Sequence, residues 1–151
     1  MDLTTAISQY ENATQEFLAA AGKLTDTELD HTEGEGWSPR QVIHHVADSE
    51  AQSYARLRRL IVEPRTQIQG YDEGAWGEHE TLGYRELPIE ISISVFAAVR
   101  ASSLEILKRL NPEQLNNSGI HSESGEYSIN TWLATYIKHP SEHAEQLSAG
   151  L

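Results

Sequence analysis

Residues 37–50 read Trp-Ser-Pro-Arg-Gln-Val-Ile-His-His-Val-Ala-Asp-Ser-Glu. Ser38 has the chemistry of a helix N-cap, Pro39 suits the first helical position, and Gln41 falls three residues after the cap, where its side chain can return to the cap N–H. Past that start, Val42, Ile43, Val46, Ala47, Tyr54, Leu57, Leu60 and Ile61 recur on one side of a helix that must stop before Pro64. Two turns in, the helix carries His44, His45 and Asp48. At about 100° per residue both histidines lie roughly 130° from the centre of the apolar stripe, on opposite sides. One therefore borders one groove and the other a different groove or solvent. Asp48, at i+4 from His44 and i+3 from His45, is able to orient either ring.

Working outward, Leu3, Ile7, Tyr10, Phe17, Leu18, Ala21 and Leu24 mark a preceding amphipathic helix. Thr25 and Glu28 form a small capping box on a short turn, and residues 30–36 are loop. After Pro64, residues 63–87 hold several glycines and no sustained period, which predicts a long connection of the kind that tends to be functional or mobile. Tyr71 and Trp76 read as its anchors, or otherwise as a platform for substrate where the crossover covers a metal mouth. Pro88 opens a third helix through Ile89, Phe96, Val99, Leu104, Leu107 and Leu110. Residues 111–114 cap another short turn, 116–126 read as loop, and Ser128 caps a fourth helix through Ile129, Trp132, Leu133, Tyr136 and Ile137. The two halves echo each other faintly, each with a long helix, a capped turn, a loop, an aromatic-serine cap and a histidine-bearing helix. Two such hairpins make a four-helix bundle.

The fourth helix supplies His139 and His143. His45 lies about 10 Å into its helix, and His139 and His143 lie about 12 and 6 Å from the end of theirs if it finishes near Leu147. These depths match only if the second and fourth helices run antiparallel. An up-down-down-up order does this, and it needs one long crossover between the second and third helices, where residues 63–87 sit.

Composition narrows the chemistry. With 151 residues one domain, 1–151, is the default, and a net charge of −12 with 11 basic residues offers no footprint for nucleic acid or an anionic membrane. There is no cysteine, so disulfides, thiolate zinc ligands and a protein-borne sulfur nucleophile are excluded. No basic leader precedes an apolar core and no long apolar run occurs, so a cytoplasmic protein is expected. Three imidazoles from two helices would hold a borderline divalent ion and leave a position open for water or substrate. The same i, i+4 pair also suits surface histidines near a helix C-terminus, where the dipole favours positive charge. A di-iron carboxylate bundle needs two Glu-x-x-His motifs, and only Glu28 to His31 is present. Arg56, Arg58 and Arg59 read as a solvated cluster near a helix end, or otherwise as a clamp for an anionic substrate.

Residues 36–49, Tyr71-Asp-Glu-Gly-Ala-Trp76, and His139-x-x-x-His143 followed by Gln146 resemble the YfiT-like branch of the DinB superfamily, metal-dependent hydrolases of the bacillithiol-transferase type. The resemblance spans nearly the whole chain. It implies an all-α, up-down-down-up four-helix bundle, commonly a homodimer, with nickel or zinc held by three histidines. By that analogy the ligands are His45, His139 and His143, and His44 is a bystander. One departure is Pro140, which removes a helical hydrogen bond and biases His139 away from helical geometry, so a kink that loosens the site is expected. The chain also ends soon after Leu147, and a longer C-terminal cover is expected to be missing.

The expected activity is a metal-dependent enzyme acting on a small molecule. As a hydrolase, the ion would acidify water, with Asp48 or Glu142 as orienting group or base. As a transferase, it would bind a low-molecular-weight thiol cosubstrate as thiolate. A non-catalytic metal-binding bundle is the third possibility.

Overall fold

The computed structural model describes residues 2–149. Helix α1 spans Leu3–Gly22 and is capped by Asp2, whose carboxylate accepts from the Thr5 N–H. Helix α2 (Asp26–Leu29) starts at the Thr25 capping box. Helix α3 (Pro39–Val62) starts at the Ser38–Gln41 box with Pro39 in its first turn. Helix α5 covers Glu90–Leu107 and α6 Ile129–Ala149. Both capping boxes stand where the sequence puts them because each is closed within a single turn.

The direction of each long helix follows from its cross-contacts. On α1 and α6, Tyr10 stacks on Trp132 and Glu16 accepts from Ser141, so residue numbers rise together and the helices are parallel. On α3 and α5, His44 meets Ser92 and Arg58 meets Ser102, again parallel. Between α3 and α6, His45 meets His139 while the Ser53 carbonyl accepts from the Trp132 indole, so these two are antiparallel. The order is up-down-down-up, and α3 and α5 can run parallel only because the chain crosses the bundle between them.

That crossover and the segment before α6 are more ordered than loops. Strand β1 (Gln67–Ile68) lies parallel to β2 (Ser118–His121), which pairs antiparallel with β3 (Gly125–Ser128). Residues expected to be loop thus form a three-stranded sheet in the order β1-β2-β3. Strands of two to four residues are too short to carry a legible alternation. Gly119 makes the parallel pairing possible, since a Cβ there would meet the Thr66 carbonyl oxygen at 2.4 Å. Within the crossover, α4 (Glu73–Glu78) is capped by Asp72, and Tyr71 packs on Trp76 with ring centroids 4.5 Å apart.

Two apolar clusters fill the bundle. One gathers Tyr10, Leu57, Leu107, Trp132, Leu133 and Tyr136; the other gathers Phe17, Val42, Ile43, Val46, Phe96 and Leu147. Arg100 stands against both, its guanidinium 3.5 Å from the Tyr10 ring centroid and 5.7 Å from that of Phe96. Arg56 and Arg58 are not a solvated cluster. Arg56 donates to the Tyr136 hydroxyl and the Gln69 carbonyl, and Arg58 donates to Ser102 and Ser103 and stacks on Tyr54. Long aliphatic stems let both reach neighbouring elements that only the tertiary fold brings near.

Candidate metal centre

Helix α3 brings His45 and α6 brings His139 and His143 to one point. The Nε2 of His139 stands 3.0 Å from that of His45 and 3.1 Å from that of His143. One ligating atom from each of the three lies within 4.8 Å of the others. His45 is buried and the other two are partly so. Burial pushes His45 down to about 4, helped by the charge of His143. It pushes His139 down to about 3, with His143, His45 and Arg100 adding to the effect. Both are therefore neutral at physiological pH, the state in which imidazole ligates metal.

The arrangement fits a divalent ion. His143 Nδ1–H donates to Gln146 Oε1 at 2.8 Å, which leaves its Nε2 lone pair pointing inward. The Nδ1 atoms of His45 and His139 are buried without a partner. With a lone pair at His143 Nε2, and a single proton or lone pair at His139 Nε2, the two close contacts cannot both be full hydrogen bonds. A cation relieves this. Tetrahedral bonds of about 2.0–2.1 Å place ligand nitrogens roughly 3.3–3.4 Å apart, so the two close pairs need to open by only a few tenths of an ångström.

His44 belongs to a different groove. Its Nε2–H donates to the Leu87 carbonyl at 2.9 Å and its Nδ1 accepts from Ser92 Oγ at 2.7 Å, so both nitrogens are engaged away from the cluster. Asp48 accepts from the Tyr84 hydroxyl at 2.5 Å and hydrogen-bonds none of the three imidazoles. Its partner comes from the crossover, 36 residues on, which spacing along α3 does not reveal. Glu142 is exposed on α6 and faces Lys138 at 3.5 Å. It too makes no hydrogen bond with the cluster.

The expected kink at Pro140 does not loosen the site. Helix α6 runs unbroken through the proline, and His139 and His143 still converge. The Tyr136 carbonyl, which loses its helical donor at residue 140, accepts instead from Arg100 Nη1 at 2.6 Å. The same guanidinium pairs with Glu50 at 3.0 Å, and both side chains are essentially fully buried. Neither residue was singled out from the sequence. The signal was present: each interrupts an apolar stripe at helical spacing, Val46-Glu50-Ser53-Leu57 and Phe96-Arg100-Ser103-Leu107.

Trp37, preceding the α3 cap, lies over His45 with ring centroids 5.1 Å apart, and Tyr84 meets Trp37 edge-on at 6.2 Å. Gly77 of α4 lies close against the six-membered ring of the Trp37 indole. A cavity of about 270 Å³ is lined by Trp37, Gln146, Val42, Leu147, Glu28 and His31 among others; Trp37 and Gln146 touch His45 and His143, but none of the three histidines lines it.

A parallel α3–α5 pair with a crossover, and three histidines joining α3 to α6, define a four-helix bundle with one three-histidine cluster able to hold a metal ion. The chain belongs to the DinB superfamily, whose profile matches residues 9–147. An Oceanobacillus iheyensis protein named "Putative metal-dependent hydrolase" is 38% identical over 114 residues, 76% of this chain and 64% of that relative's length. A Bacillus mycoides protein of the same description is 30% identical over 145 residues, 95% of this chain and 82% of its own. The solved structure of YfiT from Bacillus subtilis, described as a probable metal-dependent hydrolase with an unusual four-helix bundle topology, superposes with a TM-score of 0.84 at 26% identity, covering 97% of this chain and 86% of YfiT. TT2238, a four-helix bundle protein, shares the fold with a TM-score of 0.68 at 22% identity over 98% of this chain and 99% of its own.

Proposed function

We propose that the protein is a metal-dependent hydrolase of a small organic molecule, in which His45, His139 and His143 hold one zinc or nickel ion. The observation that carries this is the convergence of three Nε2 atoms, 3.0 and 3.1 Å apart in the two close pairs, on a partly buried point. A divalent ion there supplies Lewis acidity and lowers the pKa of water. The protein's own part is to fix and dry the site. Gln146 holds the His143 tautomer, and such outer partners are worth about 10–100-fold in metal affinity. Trp37 and Tyr84 wall the His45 side with apolar surface. The cavity next to the centre, bounded by Trp37 and Gln146 and by none of the three histidines, is assigned to the body of a substrate whose reacting end reaches past those two side chains. Asp48, fixed by Tyr84, is the carboxylate assigned as base; Glu142, exposed and facing Lys138, is the less suited alternative.

A second reading, transfer of a low-molecular-weight thiol to an electrophile, is favoured by one fact. Among the described residues no carboxylate hydrogen-bonds the three imidazoles, and a thiolate nucleophile needs no base once formed. With no cysteine in the chain, the sulfur would come from the cosubstrate. Exposed Ile91 and Val95, one turn apart on α5, support a homodimer through that helix; sedimentation velocity giving a monomer would remove that assignment.

The test begins with metal analysis of protein purified without chelator. About one ion per chain is expected, and its loss in His143→Ala. A metal-free wild type, or unchanged content in the variant, overturns both enzyme assignments. With metal present, ester or amide turnover without thiol supports hydrolysis, thiol-dependent loss of a model electrophile supports transfer, and silence in both leaves a binding module.

A further inference from the structure

A proline inside a helix removes the donor for the carbonyl four residues earlier and crowds it, and it biases the residue before it away from helical geometry. In α6 the proline is Pro140, the deprived carbonyl is that of Tyr136, and the residue before it is His139, the central histidine of the cluster. The backbone most prone to distortion is therefore the one from which that histidine projects. Its regular course needs an outside donor.

Arg100 is that donor, and it is held from every side. Its Nε donates to Thr14 Oγ1 at 2.8 Å, Nη2 to the Tyr10 carbonyl at 2.7 Å, and Nη1 to both Glu50 Oε2 at 3.0 Å and the Tyr136 carbonyl at 2.6 Å. Ser53 Oγ donates to the other oxygen of Glu50 at 2.9 Å. One guanidinium on α5 thus refers the position of the Tyr136 carbonyl on α6 to α1 and α3. Glu50 stands five residues beyond His45 on α3, so the chain Glu50–Arg100–Tyr136 ties the His45 helix to the His139 helix just below the cluster.

We propose that Arg100 is a positioning residue of the metal centre: by taking the carbonyl that Pro140 leaves without a donor, it sets the backbone from which His139 reaches His45 and His143. This rests on the three-histidine assignment above. A buried ion pair that served only to hold the bundle together would act regardless of residue 140. A positioning role is coupled to it, because an alanine at 140 restores the helix's own donor.

The experiment measures the Zn²⁺ dissociation constant of the full chain by competition with a chromophoric chelator. Arg100→Lys keeps a positive charge for Glu50 but loses the planar fork that reaches the Tyr136 carbonyl. It should weaken Zn²⁺ binding ~10–100-fold, the range for outer partners of a metal site. Pro140→Ala alone should leave binding within a few-fold of wild type. The double variant should recover most of the loss. Should Arg100→Lys fail to fold, Thr14→Val frees the guanidinium at Nε and leaves the ion pair, and its smaller loss should likewise vanish with Pro140→Ala. Equal losses with proline and alanine at 140, or none with either, overturn the positioning role. Failure of the wild type to bind Zn²⁺ strikes instead at the three-histidine assignment and removes this inference with it.

Discussion

Adjacent histidines on one helix make different contacts, and single alanine substitutions should separate the two roles proposed for them. His44 is buried and fully hydrogen-bonded, to the Leu87 carbonyl and Ser92 Oγ. His44→Ala removes two hydrogen bonds, each worth about 1 kcal/mol net, and leaves part of an imidazole's volume empty. The Leu87 carbonyl keeps a bond from Arg40 Nη1 at 3.0 Å, which holds the penalty to the lower end. A loss of about 2–3 kcal/mol follows, or a thermal midpoint lower by roughly 4–12 °C for a chain of this size. Metal affinity should stay within a few-fold. His45 is the reverse case, since its Nδ1 is buried without a partner and its ring is kept neutral by desolvation. His45→Ala relieves an unpaired polar atom while losing contact with Trp37, so the metal-free protein should change by no more than ~1 kcal/mol. Metal binding should collapse. Calorimetric melting with chelator present, alongside zinc titration of both variants, reads all four outcomes. Loss of metal in His44→Ala, or a larger destabilisation in metal-free His45→Ala than in His44→Ala, would refute the division.

Two further outcomes follow from the same geometry. His45 and His139 titrate near 4 and near 3 in the fold, and near 6.5 when unfolded. Across that interval the unfolded chain binds more protons, so their contribution to stability is intact above about 6.5 and is lost as pH falls. The urea midpoint of chelator-treated protein should therefore drop from pH 7.5 to pH 5 by more in wild type than in His45→Ala, and an equal drop in both would exclude this cause. A Cβ at Gly77 would lie 2.4 Å from Trp37 Cζ2, so Gly77→Ala must displace the indole or α4. Overpacking of this kind costs about 1–3 kcal/mol, and an unchanged melting temperature would contradict the packing described.

What could be read from residues alone was local. The caps at Ser38 and Thr25 act within four residues, and the apolar period of each helix needs no partner to be recognised. Rise per residue then required the His45 and His139 helices to be antiparallel, which the Trp132–Ser53 and His139–His45 contacts bear out. The choice between His44 and His45 was not local, because both flank the apolar stripe at equal angles. Family resemblance favours His45, and His44 is taken up by Leu87 and Ser92, 43 and 48 residues away, contacts that spacing along α3 does not reveal. The same holds for Asp48, whose partner Tyr84 lies in a crossover without period, and for the short strands, which exist only as pairs. At Pro140 the sequence showed a missing donor. Only the packing of α5 against α6 supplied another, through an arginine 36 residues away from the carbonyl it holds. Local chemistry set where each helix begins and which faces are apolar; long-range contacts decided which polar side chains meet at a buried point, since no signal within one turn specifies a partner on another helix.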